Sequence, residues 1–128
     1  MDKALHERGL GNRKKVLGED YVNKSMSTAD DFNGPFQGVL NESCWGMIWD
    51  DPTIPHKTRS MLNLCMLACL NRMHEWELHF RGAIRNGVTK DELRALITQL
   101  GVYAGVPVSV ECFRIARKVF AEMDGKKA

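Results

Sequence analysis

Side chains able to move protons concentrate in one stretch, His74 to Tyr103, HEWELHFRGAIRNGVTKDELRALITQLGVY, which holds two of the four histidines. His79 stands out, because an imidazole titrates near neutrality and can act as acid, base or hydrogen-bond donor in the same pH range. Glu75 precedes it by one helical turn, close enough to hold the imidazole in one tautomer. A core histidine bonded to a backbone carbonyl and a solvated carboxylate are the plainer readings of the same pair. Arg59 carries a planar fork that suits a carboxylate, and an ion pair with Glu42 or Glu75 accounts for it equally well. Trp45 and Trp49 have the size to wall a flat small molecule or to fill a core. Glu42 can orient His79 or line a pocket. His56 and His74 read as surface histidines near helix starts. Cys65 and Cys69 form C-x-x-x-C on one helix face, for which a redox role is conceivable. Zinc wants more ligands nearby, however, and disulfide geometry is poor along a regular helix. These thiols therefore read as small buried hydrophobes, and no metal is expected. Cys44 and Cys112 carry no partner signature.

These side chains need helices to position them. Ala4 to Met26 reads as a helical arm broken at Gly9 and Gly11 and weakened at Gly18 by roughly 1 kcal/mol relative to alanine. Thr28 is placed to cap a second helix, with Asp30 and Asp31 in its first turn. Apolar residues recur from Phe36 to Trp49, DDPTIP ends that run, and Pro55 opens the next helix. His56 to Asn71 is apolar almost all round, as a central buried helix would be. Asn71 and Arg72 mark a turn, and Asn86-Gly87 supplies a left-handed stop after the helix bearing His79. Thr89-Lys-Asp-Glu92 is a capping box, flanked by Val88 and Leu93 at the staple positions. Leu93, Leu96, Ile97, Leu100 and Tyr103 keep helical spacing. After Gly105, Pro107 starts a last helix faced by Val110, Phe113, Ala116, Val119, Phe120 and Met123, with GKKA as a frayed tail. No stretch alternates with period two for long enough to make a strand. The expectation is an all-α fold of about six helices in a single domain spanning residues 1–128.

The chain has 128 residues, enough for a core without disulfides. Its 18 basic and 16 acidic residues are interspersed, so no basic stripe points to nucleic acid. The apolar run Met61 to Leu70 is too short to span a bilayer, and MDKALHERGL lacks an apolar signal core. The cysteines then read as reduced thiols of a cytoplasmic protein.

Several stretches together resemble the carboxymuconolactone decarboxylases: the arm GLGNRKKVLGEDYVNKSM, the tryptophan-glycine of SCWGMIW, the helix KTRSMLNLCMLACL, the hairpin ELHFRGAIRNGVTKDELRALI and the ending YAGVPVSVECFRIAR. The resemblance covers nearly the whole chain. It implies an all-α fold, a ring-shaped homo-oligomer (trimer or hexamer), and cofactor-free decarboxylation of a small anionic lactone in aromatic catabolism. The lactone itself is the electron sink for that reaction. The protein supplies a cation for a carboxylate, a donor for the developing oxyanion and an acid for one proton. On this resemblance His79 is the acid or oxyanion donor with Glu75 beside it, and Arg59, Trp45 and Glu42 bind substrate. The sister alkylhydroperoxidase-D-like proteins carry C-x-x-C-x-x-x-H where this chain has Arg72, Glu75 and His79, so a disulfide-cycling peroxidase is disfavoured. DDPTIP stands where the decarboxylases carry an arginine-containing turn. That departure bears on substrate identity, because an arginine there would be a carboxylate partner. A thiol-dependent antioxidant protein on the same fold, or a member acting on another small acid, are the competing expectations.

Overall fold

Asn71, with φ 57°, and Gly87, with φ 89°, take the left-handed backbone that ends a helix, and each falls between two helices. Gly18 and Gly105 do the same at φ 94° and 115°. The computed structural model describes residues 2–127, with side chains described through residue 125. The described residues form α1 (Lys3–Leu17), α2 (Glu19–Ser27), α3 (Gly34–Val39) continuing into a π-helical segment (Leu40–Ile48), α4 (His56–Cys69), α5 (Met73–Arg85), α6 (Lys90–Tyr103) and α7 (Val106–Lys127). The all-helical expectation holds, with seven α-helices and a π segment among the described residues rather than about six helices. The chain divides into two compact units, Met1–Arg59 and Ser60–Ala128, so α4 contributes its first turn to one and the remainder to the other.

In the first unit α1 runs unbroken through Gly9 and Gly11, and the arm breaks at Gly18 instead. Gly9 serves a close approach rather than a break: a Cβ there would lie 1.7 Å from the Asn41 carbonyl oxygen of the π segment. Gly46 answers it, since its Cβ would lie 2.9 Å from the Leu5 carbonyl oxygen. Arg13, only 4% exposed, leaves α1 to donate to Gln37 Oε1 at 2.9 Å and Asn41 Oδ1 at 3.1 Å, with Ser25 Oγ at 3.4 Å. Burial lowers its pKa, and its Nε–H has no partner. Asn12 donates to the Trp45 carbonyl at 3.1 Å and to Asp50 at 2.9 Å. Thr28 does not cap a helix. Residues 28–33 turn under Asp30, whose carboxylate accepts from the Phe32 and Asn33 N–H groups, and α3 starts with Pro35 in its first turn. Proline fits there because those N–H groups have no helical acceptor.

The second unit holds a continuous apolar core: Leu64 and Ala68 from α4, Trp76, Phe80 and Ala83 from α5, Leu93, Leu96, Ile97 and Leu100 from α6, and Cys112, Ile115, Ala116 and Val119 from α7. The Trp76 indole N–H donates to the Leu64 carbonyl at 3.0 Å, so the largest core side chain buries no orphan donor. The capping box forms, Glu92 N–H donating to Thr89 Oγ1 at 3.1 Å and Thr89 N–H to Glu92 Oε1 at 2.9 Å. The expected burial of α4 is wrong in degree: Ser60, Leu64 and Ala68 are buried, while Leu62, Met66 and Leu70 form an exposed stripe one turn apart. Val110 of α7 is likewise exposed, Cys112 and Ile115 taking its place inside. The last helix continues to Lys127, so the expected fraying of GKKA is not seen up to that residue, and Ala128 lies outside the described residues.

Candidate active site

His79 sits in the second turn of α5, between the buried rings of Trp76 and Phe80 in sequence, and is itself half-buried. Asn63 of α4 brings its amide nitrogen 3.5 Å from His79 Nδ1. That contact lies at the outer limit of a hydrogen bond, and which group donates in it depends on the imidazole tautomer: with the ring proton on Nε2, Nδ1 accepts from Asn63. Burial lowers the His79 pKa, partly offset by the nearby carboxylate of Glu75. Burial thus favours the neutral imidazole over the imidazolium. Glu75, exposed one turn earlier, acts on the ring through its charge. The sequence points to Glu75 as a group able to hold the tautomer; in the structure Glu75 acts on the ring electrostatically, and the Asn63 amide also stands beside Nδ1. In the sequence Asn63 is one amide interrupting an apolar run, and nothing in the local spacing ties it to a residue sixteen positions away.

The other three candidates lie in the first unit. Arg59 is mostly covered, its side chain 12% exposed. It donates to the Asp51 carbonyl oxygen at 3.2 Å and stands 3.7 Å from the Asp51 carboxylate, while its Nε–H is buried without a partner. Its acidic partner is thus Asp51, not Glu42 or Glu75, and it comes from the DDPTIP segment. Asp51 is poised for this role because two hydrogen bonds from Thr53, followed by the Arg59 charge, hold its pKa low. Trp45 is 4% exposed and stacks on Trp49 at 4.9 Å between ring centroids, in the manner of a core residue. His56 is not a free surface histidine: its Nε2 lies 2.7 Å from the Trp49 carbonyl, with the ring edge-on to that indole. Glu42 accepts the Asp2 backbone N–H.

The thiols are poorly suited to redox chemistry. Burial and the neighbouring Cys69 raise the Cys65 pKa, and burial is the main cause pushing Cys112 up to about 12, so little thiolate forms near neutrality. All four cysteines are unpaired. Among the described residues no group of His, Cys, Asp and Glu could hold a metal ion, and no helix is long and apolar enough to cross a membrane.

The sequence compares directly with known proteins. It is 39% identical over 122 residues to 4-carboxymuconolactone decarboxylase of Acinetobacter baylyi, covering 95% of this chain and 91% of that protein. It is 35% identical over 126 residues to nitrosuccinic acid decarboxylase of Metarhizium robertsii, covering 98% of this chain and 88% of that one. The profile of the carboxymuconolactone decarboxylase family matches residues 35–118, a span that includes all the candidate residues. With well over half of the sequence matched and both relatives aligned nearly end to end, the chain belongs to the carboxymuconolactone decarboxylase family.

Proposed function

We propose that the protein is a carboxy-lyase that converts γ-carboxymuconolactone to β-ketoadipate enol-lactone in the catabolism of aromatic compounds. Two relatives that are both decarboxylases, matched over almost the whole chain, support the reaction class. The observation that carries the mechanism is the half-buried imidazole of His79, its pKa lowered by burial, with the Asn63 amide 3.5 Å from Nδ1.

In the reaction the carboxylate bond to the γ-carbon breaks, carbon dioxide leaves, and the electron pair runs through the ring double bond to the lactone carbonyl. One proton then adds to the carbon beside that carbonyl. The Nε2–H of His79 donates to the carbonyl oxygen as charge develops there, a contribution of roughly 3 kcal/mol. Arrival of an anionic substrate raises the imidazole pKa, so His79 takes up a proton with the substrate and can deliver it to carbon. Asn63 suits both forms, because half a turn of its amide replaces the N–H with Oδ1 and accepts from the Nδ1–H of the imidazolium. Glu75 favours proton uptake through its charge. Arg59, with an unused Nε–H, is proposed separately as the grip on a carboxylate, and Trp45 and Glu42 as residues that shape the first unit around it. The organic chemistry needs no cofactor, since the lactone takes the electrons.

A homo-oligomer, trimer or hexamer, is part of this proposal. The exposed stripe Leu62, Met66 and Leu70, and the exposed Val102, Tyr103 and Val106, are apolar surface of the kind that a second copy covers. The unpaired thiols support a cytoplasmic location. A second reading, another small carboxylic acid as substrate, is favoured by the second relative and by the engagement of Arg59 with Asp51.

The test is incubation of the purified protein with γ-carboxymuconolactone and, in parallel, with nitrosuccinate, following carbon dioxide release. Wild type should turn over the lactone, and His79→Ala should lose on the order of 10²–10⁴ in kcat. Release from nitrosuccinate alone would move the assignment to the second reading. Equal activity of wild type and His79→Ala would remove the histidine from the mechanism.

A further inference from the structure

The described structure holds a cavity that does not include His79. It lies between α6 and α7 of the second unit and has a volume of about 440 Å³. We propose that it is a second binding site, for an amphipathic organic anion: a carboxylate carried on an aromatic or aliphatic body. The floor is apolar, made by the partly exposed Phe113 and Phe120 and backed by the buried Phe80 and Ile97. Phe120 meets the fully buried Phe80 edge-on at 5.5 Å, which fixes the partly exposed Phe120 ring as a surface for an apolar body. The rim is basic. Lys90 Nζ stands 4.9 Å above the Phe120 ring, Arg94 bonds only the exposed Asp91, and Arg117 pairs with no carboxylate among the described residues. Asp124 is the one acidic group in the lining, so cations outnumber it three to one. Apolar walls with a few convergent polar groups, in a volume of a few hundred Å³, are the usual form of a small-molecule site. The sign of the rim selects an anion over a neutral or cationic ligand of the same shape.

The test uses the full chain, titrated with 3-phenylpropionate and with its neutral amide, followed by NMR of the Leu and Ile methyl groups and by calorimetry. The acid should bind saturably, with shifts confined to Leu93, Ile97 and their neighbours. The amide should bind about tenfold more weakly, the loss expected when one charge-assisted hydrogen bond is removed. Arg117→Gln should weaken the acid to a similar degree. Ala121→Trp, which fills the cavity from its exposed wall, should abolish binding and leave the rate of carbon dioxide release unchanged. Equal affinity for acid and amide, persistence of binding in Ala121→Trp, shifts centred on His79 instead, or no saturation at millimolar ligand because a second copy covers the cleft would each overturn the proposal.

Discussion

A single imidazole carries most of the proposed chemistry, and the lowering of its pKa by burial runs against its role as an acid. Burial lowers the His79 pKa below its unfolded value of about 6.5. If His79 delivers the proton, kcat/KM, which reports the free enzyme, should fall with rising pH along a limb lying below that value. The corresponding limb of kcat should lie at higher pH, because bound anionic substrate lifts the imidazole. Coincident limbs in the two profiles would remove the proton-uptake step. The same shift affects stability. The unfolded chain binds the proton more readily than the folded one, so the contribution of neutral His79 is fully present above pH about 6.5 and is lost as pH falls through the folded pKa. His79→Gln should flatten denaturation midpoints across that acidic window. Asn63 acts through the ring: Asn63→Leu should lower kcat more than it raises KM and shift the ¹⁵N resonances of His79 away from a single Nε2–H tautomer. A mutant with unchanged tautomer and reduced rate would leave Asn63 a packing residue only.

At the level of elements, the helix ends were legible because they depend on short-range rules. Thr89 and Glu92 form their box at the predicted spacing, and Asn71, Gly87 and Gly105 turn the chain where the spacing of apolar residues stops. What could not be read depends on contacts distant in sequence. Gly9 reads as a helix breaker until the Asn41 carbonyl is known to lie against it, and Asn63 reads as a flaw in an apolar helix until His79 is opposite. The π segment Leu40–Ile48 has no sequence signature separate from an ordinary helix. Arg59 needs a partner on sequence grounds, but the partner comes from a loop, Asp51, whose position periodicity does not fix. This contrast gives a graded test of stability by denaturant unfolding. Thr89→Ala removes one cap and should cost about 1 kcal/mol. Gly9→Ala sets a carbon into a backbone carbonyl that cannot rotate away, so it should exceed the usual overpacking range of about 1–3 kcal/mol and detach α1. A mild effect at Gly9 would mean that α1 and the π segment are farther apart in solution.

For the whole molecule, the balance of 18 basic and 16 acidic residues leaves little net charge to keep copies apart, and the uncovered apolar stripe of α4 favours their association. Met66→Glu puts a charge in the middle of that stripe, away from the core, and should lower the mass seen by sedimentation while preserving helix content. An unchanged mass would take α4 out of the interface. The attachment of α1 has a further property. Arg13 is held by an amide oxygen from each of Gln37 and Asn41 and by a serine hydroxyl, all uncharged, whereas Glu77 is held by Lys118 and Arg81 at the surface. Added salt screens the second arrangement and has almost nothing to screen in the first. The Arg13 part of the arm's grip should therefore hold as firmly in brine as in dilute buffer, and only the exposed Arg8–Asp50 pair of the same helix should loosen.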